Sequence, residues 1–222
     1  MKINKLDKTL TEQAYEILLD KICLGELKSG FRLNQDLLAK DLDISRQPIN
    51  SAISILKSNG FVKETGRRGV VVSPVTLEQF NSIYEFRSAI EPFAVQLATE
   101  RKPKSAEQKA KKVLKNGWDA VNSGNRKQLL LSDFEFHLLI YDWTQNTSII
   151  NAMQLNWNHI RRSICLVVNE SVQPSKSWHE HERIIKSMLE GNVRLAMTEM
   201  KTHIEDAKKK TIDLLTNNRT KY

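Results

Sequence analysis

Glycine all but disappears a third of the way along this chain, and that asymmetry divides it into two kinds of structure. Gly25, Gly30, Gly60, Gly66 and Gly69 are five of the eight glycines. They fall among short apolar runs, a pattern that predicts helices mixed with small strands. Beyond Val75 apolar residues recur at helical spacing to the end, and no stretch alternates as a half-buried strand would. Val72-Ser73-Pro74-Val75 marks the change, because proline stops a strand before a helix begins. The expected organisation is a mixed unit over residues 1–75 and an all-helical unit over residues 76–222. With 222 residues, 40% of them hydrophobic, the chain can bury two cores.

Within the first unit, Thr9-Leu-Thr-Glu12 reads as a capping box. It opens a helix whose apolar face is Leu10, Ala14, Ile17, Leu18 and Ile22. Residues 27–33 predict a tight turn between two extended pieces. A second helix spans about 35–42, with Leu37, Leu38 and Leu42 inward, and a short turn at Asp43 and Ile44 leads to a third. Ser45 is placed to cap that third helix, with Ile44 and Ile49 stapling its entry. Pro48 falls in its first turn, where the missing N–H costs nothing. Ile49, Ala52, Ile53 and Leu56 form its buried stripe, and Gly60 ends it. Strands at 61–64 and 69–72 flank a turn that carries Arg67 and Arg68. The order is helix, helix-turn-helix, two-stranded wing.

The outward face of the third helix carries the chemistry. A major groove admits one helix, whose N-terminal residues reach base edges. Arg46 can bridge guanine O6 and N7, and Gln47 and Asn50 can pair with adenine. Ser45 and Lys57 complete the set on that helix, while Arg67 and Arg68 suit phosphates or the minor groove. The same residues describe an ordinary solvated face equally well. The net charge of +8 does not decide between the two, because Lys109, Lys111, Lys112 and Lys208 to Lys210 place much of it elsewhere.

The second unit reads as six helices, hence an antiparallel helical bundle and a mainly α fold overall. Thr76-Leu-Glu-Gln79 caps the first, with Phe80, Ile83, Tyr84, Ile90, Phe93, Ala94 and Leu97 on one stripe. Arg87 shares that stripe, Glu91 follows one turn later, and Pro92 is expected to kink the helix. Others are expected from about 105, with Val113 and Leu114 inward, and at about 126–143, 148–169, 177–190 and 193–216. Ser177-Trp-His-Glu180 reads as a third capping box. Cys23 and Cys165 sit in apolar helical patterns and read as two buried thiols rather than a disulfide. No run approaches the ~20 apolar residues of a membrane helix. No apolar stretch follows the basic start of the sequence, so no signal peptide is expected, and the expected location is the cytoplasm.

Polar groups then appear where a bundle keeps its core. Asp133 and His137 share a face with Leu129, Leu130, Phe136 and Ile140. His181 shares one with Trp178, Ile184, Ile185 and Met188, and His203 one with Val193, Ala196, Met200 and Ala207. Buried ionisable groups are costly unless paired or metal-bound. Three imidazoles and a carboxylate suit a borderline divalent metal, zinc or nickel first, manganese or iron next. Hydrogen-bonded core histidines are an equal alternative on the residues alone. Four protein ligands leave room on a six-coordinate metal for a small organic acid. Inward Arg87 is placed to hold its carboxylate, unless it serves only as a partner for Glu91, and Arg161, beside Trp157 and Ile164, is the second candidate.

Leu38-Ala-Lys-Asp-Leu-Asp-Ile-Ser-Arg-Gln-Pro-Ile-Asn-Ser-Ala-Ile53, followed by Leu56 and Gly60-Phe-Val, resembles the winged helix-turn-helix of the GntR regulators. The resemblance implies that Arg46 reads a base and that Gly69 is the wing glycine. Asn50 stands where the family usually has a second DNA-contacting arginine, and Ser51 replaces a common glutamate, so an unusual operator is expected. Arg87-x3-Glu91-Pro92, Asp133-x3-His137, Asn146, Glu180-His181 and Ala196-x6-His203 resemble the FCD domain of the FadR-type branch, with six helices as in its VanR-type subgroup. That resemblance implies Asp133, His137, His181 and His203 as ligands of one metal, an organic acid effector, a homodimer and a pseudo-palindromic DNA operator, with no membrane partner. The function expected is a repressor released by a small carboxylate. A metal-dependent hydrolytic enzyme with an accessory DNA-binding domain is the alternative, weakened because no inward general base is evident beyond the ligands. A DNA-compacting protein fits poorly with charge this diffuse.

Overall fold

A computed structural model describes residues 8–66, 69–168 and 174–219 of the chain. It divides into two compact units, residues 1–76 and 77–222.

The first unit begins with α1 (Leu10–Cys23). Thr9 makes both arms of the capping box: its Oγ1 accepts from the Glu12 N–H at 3.2 Å, and its own N–H donates to Glu12 Oε2 at 2.7 Å. Ala14, Ile17, Leu18 and Ile22 are buried, while Leu10, expected on the same face, is exposed. α2 (Gln35–Leu42) is capped by Asn34, whose Oδ1 accepts from the Asp36 and Leu37 amides. Asp43 then turns the chain in the left-handed region at φ 54°. Aspartate tolerates that region better than most residues, and so α3 (Arg46–Ser58) can follow after a short turn. Leu37, read as inward, is 58% exposed, while Leu42 is buried as expected and Ala39 takes the other core position. Eight residues are too few for spacing to fix the phase of a helix.

α3 buries Ile49, Ala52, Ile53 and Leu56 as expected. Fully burying a large aliphatic side chain contributes roughly 1.5–3 kcal/mol, so this stripe holds α3 against α1. Ser45 occupies the N-cap position but makes no side-chain cap hydrogen bond, which corrects the expected cap. β1 (Val62–Glu64) pairs antiparallel with β2 (Val70–Val72), in the register Val62↔Val72 and Glu64↔Val70. A third extended piece joins them: Arg32 bridges Val71, and the Leu33 amide donates to the Val70 carbonyl at 2.9 Å. Arg67 and Arg68 lie outside the described residues, as does the side chain of Cys165. Cys23 is a buried core thiol.

Among the described residues the second unit has six helices: α4 (Leu77–Arg101), α5 (Ala106–Ser123), α6 (Arg126–Trp143), α7 (Thr147–Val168), α8 (Pro174–Leu189) and α9 (Val193–Arg219). α4 runs through Pro92 without interruption in its helical assignment. Phe80, Tyr84, Phe136, Ile140, Met153, Ile184 and Met200 meet in its core. Phe93, expected there, is 45% exposed, while Ala94 and Val95 fill the core next to it. Small residues let α5 approach α8: an added Cβ at Gly117 would stand 2.1 Å from the Trp178 ring. α8 begins at Pro174, one turn before the expected Ser177, so Ser177 lies inside the helix and the third capping box is not an N-terminus. Proline suits a first helical position because the N–H it lacks would be unpaired there. Among the described residues no helix is long and apolar enough to cross a membrane.

Candidate functional site

The outward face of α3 carries Ser45, Arg46, Gln47, Asn50 and Lys57, all exposed. Arg46 is the first residue of the helix, its side chain 62% exposed, with Nε 3.0 Å from Asp36 Oδ1 on α2. Such a surface pair is worth at most about 1 kcal/mol, so it orients the guanidinium without holding it back from a stronger acceptor. Lys57 Nζ lies 2.6 Å from Glu64 Oε1 on β1, which ties the end of α3 to the wing. The face therefore presents donors and acceptors at the end of a helix that can enter a groove first.

In the second unit the structure brings three of the four candidate metal ligands together. His137 on α6, His181 on α8 and His203 on α9 are all buried, and one ring nitrogen from each lies within 4.8 Å of the others. Asp133, expected to converge on the same point, stands at the edge of the cluster with Oδ1 3.6 Å from His181 Nε2. His181 stacks on Phe136 at a centroid distance of 3.8 Å and meets the edge of Trp178 at 4.7 Å. Those rings fix its plane. Burial, followed by His203, His137 and Arg87, pushes the His181 pKa well below its ordinary value, so the ring is neutral and keeps a lone pair to donate.

Two carboxylates outside the expected ligand set stand beside the other imidazoles. His203 Nδ1 donates to Glu180 Oε2 at 2.8 Å. His137 Nδ1 lies 2.9 Å from Glu91 Oε2, out of line for a hydrogen bond. A carboxylate hydrogen-bonded behind a histidine, as Glu180 is behind His203, sets the tautomer and raises ligand basicity. Glu91 also receives Arg87 Nε at 2.5 Å, with both side chains buried. The internal pair considered for Arg87 therefore exists, and Arg87 Nη2 further approaches His137 Nε2 at 3.4 Å. Burial by itself opposes charge on both members. Glu91 outweighs it at Arg87, and Arg87 with His137 outweighs it at Glu91, so the pair stays ionised.

Buried polar atoms are nearly always hydrogen-bonded, yet here several are not. Both ring nitrogens of His181, Asp133 Oδ2 and Glu180 Oε1 have no hydrogen-bond partner among the described residues. A cavity of about 260 Å³ opens beside them, with Arg87, Asp133, His137, Glu180 and His203 in its wall. Unpaired imidazole nitrogens with carboxylates near them are the donor set of a divalent cation of the zinc-to-nickel kind, so these residues fit such an ion. Arg161 on α7 is not among the described residues that line this cavity. The further lining cations are Arg126 and Lys210. His179 and His159 stand apart from the cluster, against Glu182 and Gln79 respectively.

Comparisons with known proteins bear on both units. Residues 10–72 match the family described as bacterial regulatory proteins, gntR family, and residues 82–206 match the FCD domain. The chain is 27% identical over 206 residues to the HTH-type transcriptional regulator YdhC of Bacillus subtilis, covering 90% of each chain. It is 22% identical over 174 residues to the gluconate operon transcriptional repressor of the same organism, covering 78% of this chain and 69% of that one. Among solved structures it is similar to a GntR transcriptional regulator of Rhodococcus sp. RHA1. The TM-score is 0.79 at 22% identity, over 91% of this chain and 97% of that one.

Proposed function

The chain belongs to the FCD-domain branch of the gntR family of bacterial regulatory proteins and is a transcriptional regulator, and from that premise we propose that it represses genes until a small carboxylate binds a metal site in its helical unit. The hydrolytic alternative is set aside, because the family and its relatives are transcriptional regulators rather than enzymes. α3 enters the major groove, where Arg46 takes guanine O6 and N7 and Gln47 and Asn50 read adenine. Lys57, Ser45 and the wing arginines Arg67 and Arg68 hold the phosphates. One recognition helix reads only a few base pairs, so two chains bind a pseudo-palindrome as a homodimer through their helical units.

The observation that carries the effector half of this reading is His181, buried with both nitrogens unpartnered beside two other histidines. His137, His181 and His203, joined by Asp133, would hold one divalent cation, zinc or nickel before manganese or iron. When bound, such an ion supplies positive charge and open coordination positions that a carboxylate can fill. Glu180 keeps His203 turned toward it. Arg87, which lines the cavity and shares its charge with Glu91, receives the carboxylate from the side. Arg87 sits on α4, the helix that begins at Leu77 directly after the winged unit. A ligand that engages it can change DNA affinity only by its different affinity for the two arrangements of the protein.

Operator fragments selected from genomic DNA with the purified protein provide the test. The expected result is a pseudo-palindromic site bound by a dimer, with affinity falling roughly tenfold or more when metal and a carboxylate are added. His203→Ala should bind DNA equally well but lose that response. Binding without sequence selectivity, or a monomer in sedimentation both free and on DNA, would overturn the reading.

A further inference from the structure

The cavity beside the histidines has two chemically different ends. Along α6 its wall runs from Arg126 to Asp133 and His137, and along α9 from His203 to Lys210. The two helices thus pass between the same two layers in opposite directions. At a rise of 1.5 Å per residue, about 10 Å of helix separates Asp133 from Arg126 and His203 from Lys210. α8 keeps the same order, with Pro174 and Ser177 ahead of Trp178 and Glu180. Two long cationic side chains therefore stand at one end, and the imidazoles and two lining carboxylates at the other. Leu129, Leu130 and Ala207 make an apolar wall between them.

The charges point to what fits. Arg87, Arg126 and Lys210 share the wall with Asp133 and Glu180, and Glu91 pairs with Arg87. A divalent cation bound at the histidine end adds two positive charges to a recessed space, where unbalanced charge is costly. A monoanion removes one of them, and a dianion removes both. The size is also bounded. A cavity of about 260 Å³ is near the lower end of the range for small-molecule pockets, which suits a short ligand with a charge at each end. Building on the metal-assisted reading above, we propose that this cavity selects a small dicarboxylate, one carboxylate at the histidine end near Arg87 and the other on Arg126 and Lys210.

Calorimetry on the metal-loaded full-length protein tests this with matched pairs of equal length: succinate against butanoate, glutarate against pentanoate, adipate against hexanoate. A second charge-assisted contact is worth roughly tenfold to hundredfold in affinity, and at least one dicarboxylate should exceed its monocarboxylate by that factor. The double variant Arg126→Gln/Lys210→Met should lose the preference while keeping monocarboxylate affinity, metal uptake and melting temperature, and Lys210→Arg should retain it. Equal affinities within every pair, or a preference that survives the double variant, would overturn the proposal. So would inorganic phosphate binding as tightly as the best dicarboxylate, since phosphate cannot bridge the two ends. Failure of the wild type to take up metal would instead sink the reading beneath it, and that is measured first.

Discussion

Arg87→Met takes the cation out of a pair that the fold has closed off from water. Arg87 and Glu91 are 1% and 0% exposed, with Nε 2.5 Å from Oε1. The carboxylate left behind keeps His137, 2.9 Å from its other oxygen, and the neutral Tyr141 hydroxyl, with no cation in place of the guanidinium. Breaking such a pair costs about 3–5 kcal/mol, whereas replacing both members by apolar groups of similar volume is often close to neutral. In a unit of this size a loss of that order lowers Tm by on the order of 10 °C. All four tryptophans, Trp118, Trp143, Trp157 and Trp178, lie in the helical unit, so their fluorescence during denaturant unfolding reports on it alone. With metal removed by chelator, Arg87→Met should unfold at much lower denaturant, and Arg87→Met/Glu91→Leu should recover most of the loss. The pH dependence has a defined sign. Burial would raise the Glu91 pKa, but Arg87 and then His137 outweigh it and hold the carboxyl below its ordinary range. A depressed folded pKa contributes stability that is fully present above the unfolded value near ~4.3 and is lost as pH falls toward the folded value. The wild type should therefore weaken below about pH 4. In Arg87→Met burial dominates, the carboxyl takes up a proton more readily in the folded state, and the deficit should narrow as pH falls. A single variant within ~1 kcal/mol of wild type, against the 3–5 expected, or a double variant as unstable as the single, would refute the reasoning.

Three further outcomes follow from named contacts. Arg46→Ala should lose about 1–3 kcal/mol of operator affinity with no change in melting, because its ion pair with Asp36 is exposed; unchanged binding in a fluorescence anisotropy titration would remove α3 from the groove. Gly117→Ala places a methyl group into the Trp178 ring and should destabilise by about 1–3 kcal/mol as overpacking does, shown by a lower unfolding midpoint. Glu180→Gln should weaken metal affinity by roughly 10–100-fold while the fold is retained, and an unchanged isotherm would mean that Glu180 does not orient His203.

The sequence reveals most where helices are long enough to fix their own phase. α6 spans 18 residues, and Asp133, His137, Phe136 and Ile140 together define its inward side. The same holds for His181 on α8 and His203 on α9. α2 has eight residues, and there Leu37 was assigned to the wrong side. Glu180 belongs to the Glu180-His181 motif, but its role behind His203 is masked by a plausible capping box that makes it look like a helix start, whereas α8 spans Pro174–Leu189 and Glu180 lies buried within it. The proline was the available signal. Arg126 and Lys210 carried no signal at all, since nothing in one sequence tells which of its 34 lysines and arginines face a cavity. Arg161 stands out in the sequence by its apolar neighbours on α7, and none of the described residues of that helix lines the cavity.

The central claim is that the three buried histidines form a metal site, and calorimetric titration of chelator-stripped protein with zinc and nickel addresses it most directly. The account predicts a single site per chain in the wild type and a much weaker or absent isotherm for His181→Ala, with both proteins melting cooperatively. A wild type that takes up neither metal, nor manganese, contradicts the account. An isotherm for His181→Ala that matches the wild type contradicts the ligand set.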